Sequence, residues 1–401
     1  QGGGWLGADG ENYLKGVDAL HLGGLFSIAE ILNYWPAGYP ILIWLLAFIS
    51  ISKLIYLISL IQSLFFAYAT YYLTRNLSKT SAAWIAFPVS LFISFNPTLS
   101  LSTLAIGYEA PVAACFMMAL GILLSSKKAT EKRLTFYAIY AGLWVTLAAF
   151  MQPRYLVIGF VIFAIWGLSV APKKSGAMIV LIASAVSLFS PAVMITRNLI
   201  AIDRPIVSTN LSVAINYGAG ENATGGYNRV GDFVPCKPKP PATQVSDNQT
   251  IACVFTWYLK NPIKTAKLTF NKSEFYWSPW SGPLANGTMA RNPWLKISPV
   301  QNLLKNQSGA QLVTGPFGKL ISWLWIIGQI LFVIMGFNYL RKDDLTSRLI
   351  ANISFAAVVT SWLITIATLG DHRFRVPTMG LSLLLQVATI WKWKQRISKA
   401  L

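Results

Sequence analysis

Charge is scarce in this chain. Only 12% of its 401 residues are Asp, Glu, Lys or Arg, against roughly 25% in soluble domains, which excludes an ordinary water-exposed globular surface over most of its length. Acids are the scarcer sign, 14 against 33 Lys and Arg, for a net charge of +19. Histidine occurs twice, as His21 and His372, and no HExxH or CxxC pattern is present. A His-rich metal centre is thereby excluded and a structural zinc disfavoured. No Walker loop and no GxGxxG following a strand is found, so energy from a cytoplasmic nucleotide is disfavoured as well. Internal repeats and heptads are lacking.

Apolar residues are what the chain has in abundance, 54% hydrophobic and 13% aromatic. Apolar runs of ~20 residues, enough to cross ~30 Å of hydrocarbon, recur along it. The expected spans are Leu54–Leu73, Ser81–Phe95, Ala105–Leu124, Leu134–Phe150, Tyr155–Val170, Ala177–Met194, Leu320–Leu340, Leu349–Leu369 and Pro377–Trp391. Lipid leaves an open chain only the helix for satisfying its backbone, so the expected fold class is an all-α polytopic membrane protein. Four regions follow: an outer N-terminal segment with interfacial helices (1–53), a transmembrane bundle (54–195), an extracytoplasmic insert of mixed helix and loop (196–318), and C-terminal transmembrane helices with a cytoplasmic tail (319–401).

The basic residues fix an expected orientation. Arg75/Lys79, Lys127/Lys128/Lys132/Arg133, Lys173/Lys174, Arg341/Lys342/Arg348 and Lys392/Lys394/Arg396/Lys399 fall in alternate loops, and short loops rich in Lys and Arg stay cytoplasmic. The net positive charge then faces anionic lipid rather than nucleic acid. The expected location is the plasma (inner) membrane, with the working side toward the periplasm or exterior, or the lumen of the endoplasmic reticulum in a eukaryote. Counting back puts Gln1–Tyr39 outside, which calls for a further upstream helix, lost by processing or truncation, or for a cleaved signal peptide. In the insert, Cys236 and Cys253 share an oxidising compartment and are expected to form a disulfide, whereas Cys115 lies within a span.

Polar residues with chemical potential concentrate on the outer side. Asp9 and Glu11 sit in a Gly-rich bend, Gly7–Ala8–Asp9–Gly10–Glu11–Asn12–Tyr13, where a carboxylate serves either as a helix cap or in chemistry. Glu109, in Gly107–Tyr108–Glu109–Ala110–Pro111, enters an apolar helix; it is either a first-turn acid or a paired group lining a wet cavity. Arg154, Arg197 with Asn198, and the run Asp371–His372–Arg373–Phe374–Arg375 place arginines in outer connections, where the charge rule disfavours them. Guanidinium groups there either snorkel to headgroups or hold a phosphate bidentately.

Taken in order, these landmarks resemble the C-type membrane glycosyltransferases that use polyprenyl-phosphate sugars, above all the protein O-mannosyltransferase and lipid A aminoarabinose-transferase group. Asp9 and Tyr13 match its early D-x-x-x-Y pattern, and Pro36–Gly38–Tyr39–Pro40 its P-x-G-Y-P stretch. Gly107–Tyr108–Glu109 falls at its second acid, Arg197–Asn198 with Asp203–Arg204–Pro205 at the entry to its long outer region, and His372–Arg373–Phe374–Arg375–Val376–Pro377 at its last outer loop. Gly10 intervenes where the group has an acid directly after the Asp, and the outer region is short for a protein mannosyltransferase.

The resemblance implies a helical bundle of that type and an inverting transfer of sugar from a polyprenyl-phosphate donor to a protein, lipid or glycan acceptor. It assigns Asp9 as general base and Glu109 as its catalytic partner. Substrate would be held by Glu11, Tyr13, Arg154, Arg197, Asn198, His372, Arg373 and Arg375. No protein metal site is implied; a divalent ion near the acids is left open. A lipid-linked glycan polymerase or ligase is the neighbouring alternative. A lipid or glycan transporter (flippase) is the alternative from another class, disfavoured by nearly charge-free mid-span positions and the lack of repeated halves.

Overall fold

The computed structural model describes residues 9–126, 130–170, 172–220, 223–226, 247–278 and 315–400, and these contain helices and no strand. The chain is an all-α polytopic membrane protein. Its N-terminal region forms three helices, α1 (Gly10–Gly23), α2 (Glu30–Tyr34) and α3 (Gly38–Ala47). The bundle follows with α4 (Leu54–Leu77), α5 (Ala86–Ser94), α6 (Pro97–Ser102), α7 (Glu109–Ser125), α8 (Glu131–Met151), α9 (Leu156–Leu168), α10 (Lys173–Ser187) and α11 (Phe189–Ile202). The insert contributes α12 (Asn210–Tyr217), α13 (Asp247–Lys260) and α14 (Pro262–Trp277). Three long helices close the chain: α15 (Pro316–Lys342), α16 (Leu345–Ala367) and α17 (Val376–Ala400).

Among the described residues, five helices are long and apolar enough to cross a membrane: Leu54–Leu77, Arg133–Met151, Lys173–Ile202, Pro316–Lys342 and Leu345–Ala367. Other expected spans fold as shorter apolar helices, among them Ala83–Ser94, Glu109–Ser125 and Pro153–Leu168. For Ala83–Ser94 the reason is local. Asn96 caps α6 by accepting from the Leu99 N–H, and Pro97 forbids continuation of the preceding helix. The expected span Ala177–Met194 instead runs on to Ile202, interrupted at Leu188, shortly before Pro191, which cannot donate to the Ser187 carbonyl.

α7 is apolar all round and buried from Ala110 to Leu124, as a helix at the centre of a bundle must be. α4, α8 and α17 surround it. Outward faces of α4 and α15 expose Leu60, Leu64, Leu324 and Leu331. Without a hydrophobic driving force between helices in lipid, close approach depends on small residues. Gly336 of α15 lies directly on the Leu385 carbonyl of α17, and Gly38 of α3 on that of Phe150 in α8.

The two ends of the bundle differ in chemistry. At one end Ser81, just beyond α4, donates to Asp344 at 2.5 Å, and Lys392 of α17 lies 4.0 Å from Asp343. Arg75, Arg341 and Lys342 close their helices at this end. The opposite end carries the start of α7, the connection from α8 to α9, and the connection from α16 to α17. Cys253, in α13, is disulfide-bonded; its expected partner, Cys236, lies outside the described residues. Cys115 is a free, buried thiol in α7.

Candidate functional site

Asp9 stands at the N-cap of α1, yet its side chain makes no capping hydrogen bond. The carboxylate turns instead toward Arg373, whose Nη1 donates to Asp9 Oδ2 at 2.5 Å. That guanidinium is shared. Glu109 Oε1 lies 3.7 Å from the same Nη1, and Asp371 Oδ2 lies 3.3 Å from Nε. Four groups from three distant segments thus meet at the opposite end from the Arg75, Arg341 and Lys342 cluster, with Asp9 and Asp371 buried. Burial works against the charge on Arg373, but the carboxylates, Asp9 foremost, outweigh it and hold the group firmly protonated.

Local structure positions each member. The turn before α7 is pinned by Tyr39, whose hydroxyl accepts from the Gly107 N–H at 2.9 Å and from Gln62 Nε2 at 2.7 Å. A side chain at Gly107 would fall on Glu109 Oε2, so only glycine leaves that carboxylate where it is. Arg373 belongs to a 3₁₀ turn, His372–Arg375, which starts with Asp371 accepting from the Arg373 N–H at 3.1 Å. One short turn therefore supplies both an acid and the guanidinium it holds.

Arg154 completes the group from a 3₁₀ turn, Pro153–Tyr155. Its Nη2 donates to the Tyr108 hydroxyl at 2.9 Å, and its guanidinium sits 4.0 Å from the Phe374 ring centroid. No carboxylate pairs with it among the described residues. Tyr13 packs edge-on against Tyr39 and Tyr108, forming an aromatic wall beside the acids.

Other expected site residues, His372 excepted, are engaged elsewhere. Glu11 is exposed and pairs with Lys15 at 3.2 Å, one helical turn on. Arg197 is buried, donating to the carbonyls of Leu25, Ser27 and Leu32 and to the side-chain oxygens of Asn33 and Asn198. Asn198 in turn donates to the Ile206 and Val207 carbonyls, so this pair closes the N-terminal connection onto α11. Arg375 donates to the Trp277 carbonyl at 2.7 Å and to Gln329 at 3.0 Å, tying the loop to α14 and α15; burial pulls its guanidinium down to about 10. His372 is buried, with Nδ1 3.5 Å from Asp371.

Sequence reasoning did not single out Asp371, Tyr108 or Phe374 as site residues, although each lies inside a quoted motif. Their signal was adjacency alone. Tyr39 and Gln62 gave none, because a positioning hydroxyl is visible only through the partner it bonds.

No family model and no curated protein matches the chain. Two solved structures are similar, both of an oligosaccharyltransferase from Archaeoglobus fulgidus. One, tethered with an acceptor peptide containing the NVT sequon, has a TM-score of 0.50 at 13% identity and covers 97% of this chain and 46% of its own. The other, of the archaeal oligosaccharyltransferase AglB in complex with an inhibitory peptide and a dolichol-phosphate, has a TM-score of 0.46 at 12% identity and covers 99% of this chain and 48% of its own. The chain thus spans about half the length of the structures it matches, and what it is similar to is their helical fold.

Proposed function

We propose that the protein is a membrane glycosyltransferase that moves a sugar from a polyprenyl-phosphate carrier to an acceptor on the extracytoplasmic side, with inversion. The observation that carries this reading is Arg373 held by Asp9, Asp371 and Glu109, beside an Arg154 that has no acid partner among the described residues. Acids that accept a proton and cations that receive a phosphate are the two parts such a transfer needs. The fold it shares with an oligosaccharyltransferase supports the same class.

In the proposed reaction the acceptor oxygen or nitrogen attacks the anomeric carbon and the bond from carbon to phosphate oxygen breaks. Asp9 takes the acceptor's proton, which requires hydrogen-bond reach. Glu109 orients the acceptor. The phosphate leaves on its lipid, its developing charge met by Arg154 and Arg373; such preorganised charge is usually the largest catalytic contribution. Donor phosphate and Asp9 compete for one guanidinium, so donor arrival frees Asp9 to act as base.

Asp9→Asn is expected to lower transfer from a radiolabelled polyprenyl-phosphate sugar in membranes by about 10²-fold or more, with insertion unchanged. Full residual activity removes Asp9 from the mechanism. Transfer only from an oligosaccharide pyrophosphate donor would instead favour a lipid-linked glycan polymerase or ligase.

A further inference from the structure

α16 ends at Ala367, and the last carbonyls of any helix lack partners within it. Here a lysine from the insert supplies them. Lys272 of α14 is 1% exposed, and its Nζ donates to the Thr368 carbonyl at 2.7 Å, the Ile366 carbonyl at 2.9 Å and the Tyr258 hydroxyl at 3.2 Å. Three acceptors match the three protons of an ammonium, and a helix C-terminus favours a cation. No carboxylate pairs with Lys272 among the described residues.

The carbonyls it holds lie three to five residues before the segment Asp371–Arg373. The insert grips this stretch at two more points. Gly218, at the end of α12, packs directly on the Thr368 carbonyl, and the Gly370 N–H donates to the Gly225 carbonyl at 2.7 Å. A Cβ on Gly370 would lie 2.9 Å from the Lys272 Cα, so loop and helix are in backbone contact.

We propose that Lys272 is a positioning residue: its ammonium anchors the carbonyl end of α16 to the insert, thereby fixing the Asp371–Arg373 turn in the ion-pair cluster. The meaning of the cluster rests on the glycosyltransferase reading; the anchoring itself does not.

Hydrogen exchange of the full chain in detergent at pH 8, corrected for intrinsic rates, is expected to show protection of amides 366–375 falling at least ~10-fold in Lys272→Met, with α4 and α8 unchanged, and largely restored in Lys272→Arg, which keeps a cation at those carbonyls.

Unchanged protection in Lys272→Met, or loosening spread evenly over all helices, would each overturn the proposal. Should Lys272→Met not fold, Tyr258→Phe keeps the packing but removes one acceptor from the ammonium, so protection of the same amides falls by a smaller factor; unchanged protection is equally fatal. Substrate is not needed, so this outcome is independent of whether sugar transfer is ever detected.

Discussion

At the scale of single residues, the site depends on side chains that have abandoned their ordinary local partners. Asp9 occupies a cap position without capping, because Arg373 offers a charge-assisted bond stronger than the one to a backbone N–H. Its type and place were legible in the sequence as a carboxylate in a Gly-rich bend; its partner, 364 positions away, was not. Gly107 is the complementary case, important for the side chain it lacks. Gly107→Ala is expected to displace the Glu109 carboxylate and reduce turnover by about 10-fold or more, while the melting temperature in detergent stays close to wild type. An unaffected rate would mean that Glu109 does not act from its observed position. Arg197 teaches the reverse lesson: an arginine in an outer connection reads as an anion site until its five hydrogen bonds to neutral oxygens are seen.

At the scale of elements, hydropathy located the apolar runs and misjudged their lengths. Ser81–Phe95 reads as one span, yet it folds as a 3₁₀ turn and a nine-residue helix, since Asn96 and Pro97 start a new helix before the old one has crossed. Helix contacts inside lipid are decided by small residues that no run of leucines announces. Gly336 is the clearest, placed against the Leu385 backbone with no room for a β-carbon. Gly336→Val should push α15 away from α17 and cost about 1–3 kcal/mol of stability, seen as a lower midpoint in detergent unfolding. An unchanged midpoint would show that the two helices are free to separate. Lys272 belongs to the same scale, for it works by joining the insert to the end of α16.

At the scale of the whole molecule, the ion-pair cluster and the basic helix ends occupy opposite ends of one bundle, as the alternation of Lys and Arg along the chain anticipates. This gives an orientation that is directly testable. Lys15→Cys should react with a membrane-impermeant maleimide in intact cells, and Arg341→Cys only after permeabilisation; the reverse pattern would place the cluster in the cytoplasm. Composition alone determined that the chain is helical and membrane-embedded, since lipid tolerates no other open-chain backbone, and the spacing of basic residues determined which connections share a face. Tertiary structure alone decided which of the polar residues come together. Asp9, Glu109, Arg154 and Arg373 converge, while Glu11, Arg197 and Arg375 are bound elsewhere, because a buried charge settles on whichever partners the packing brings within bonding distance, and sequence separation says nothing about that distance.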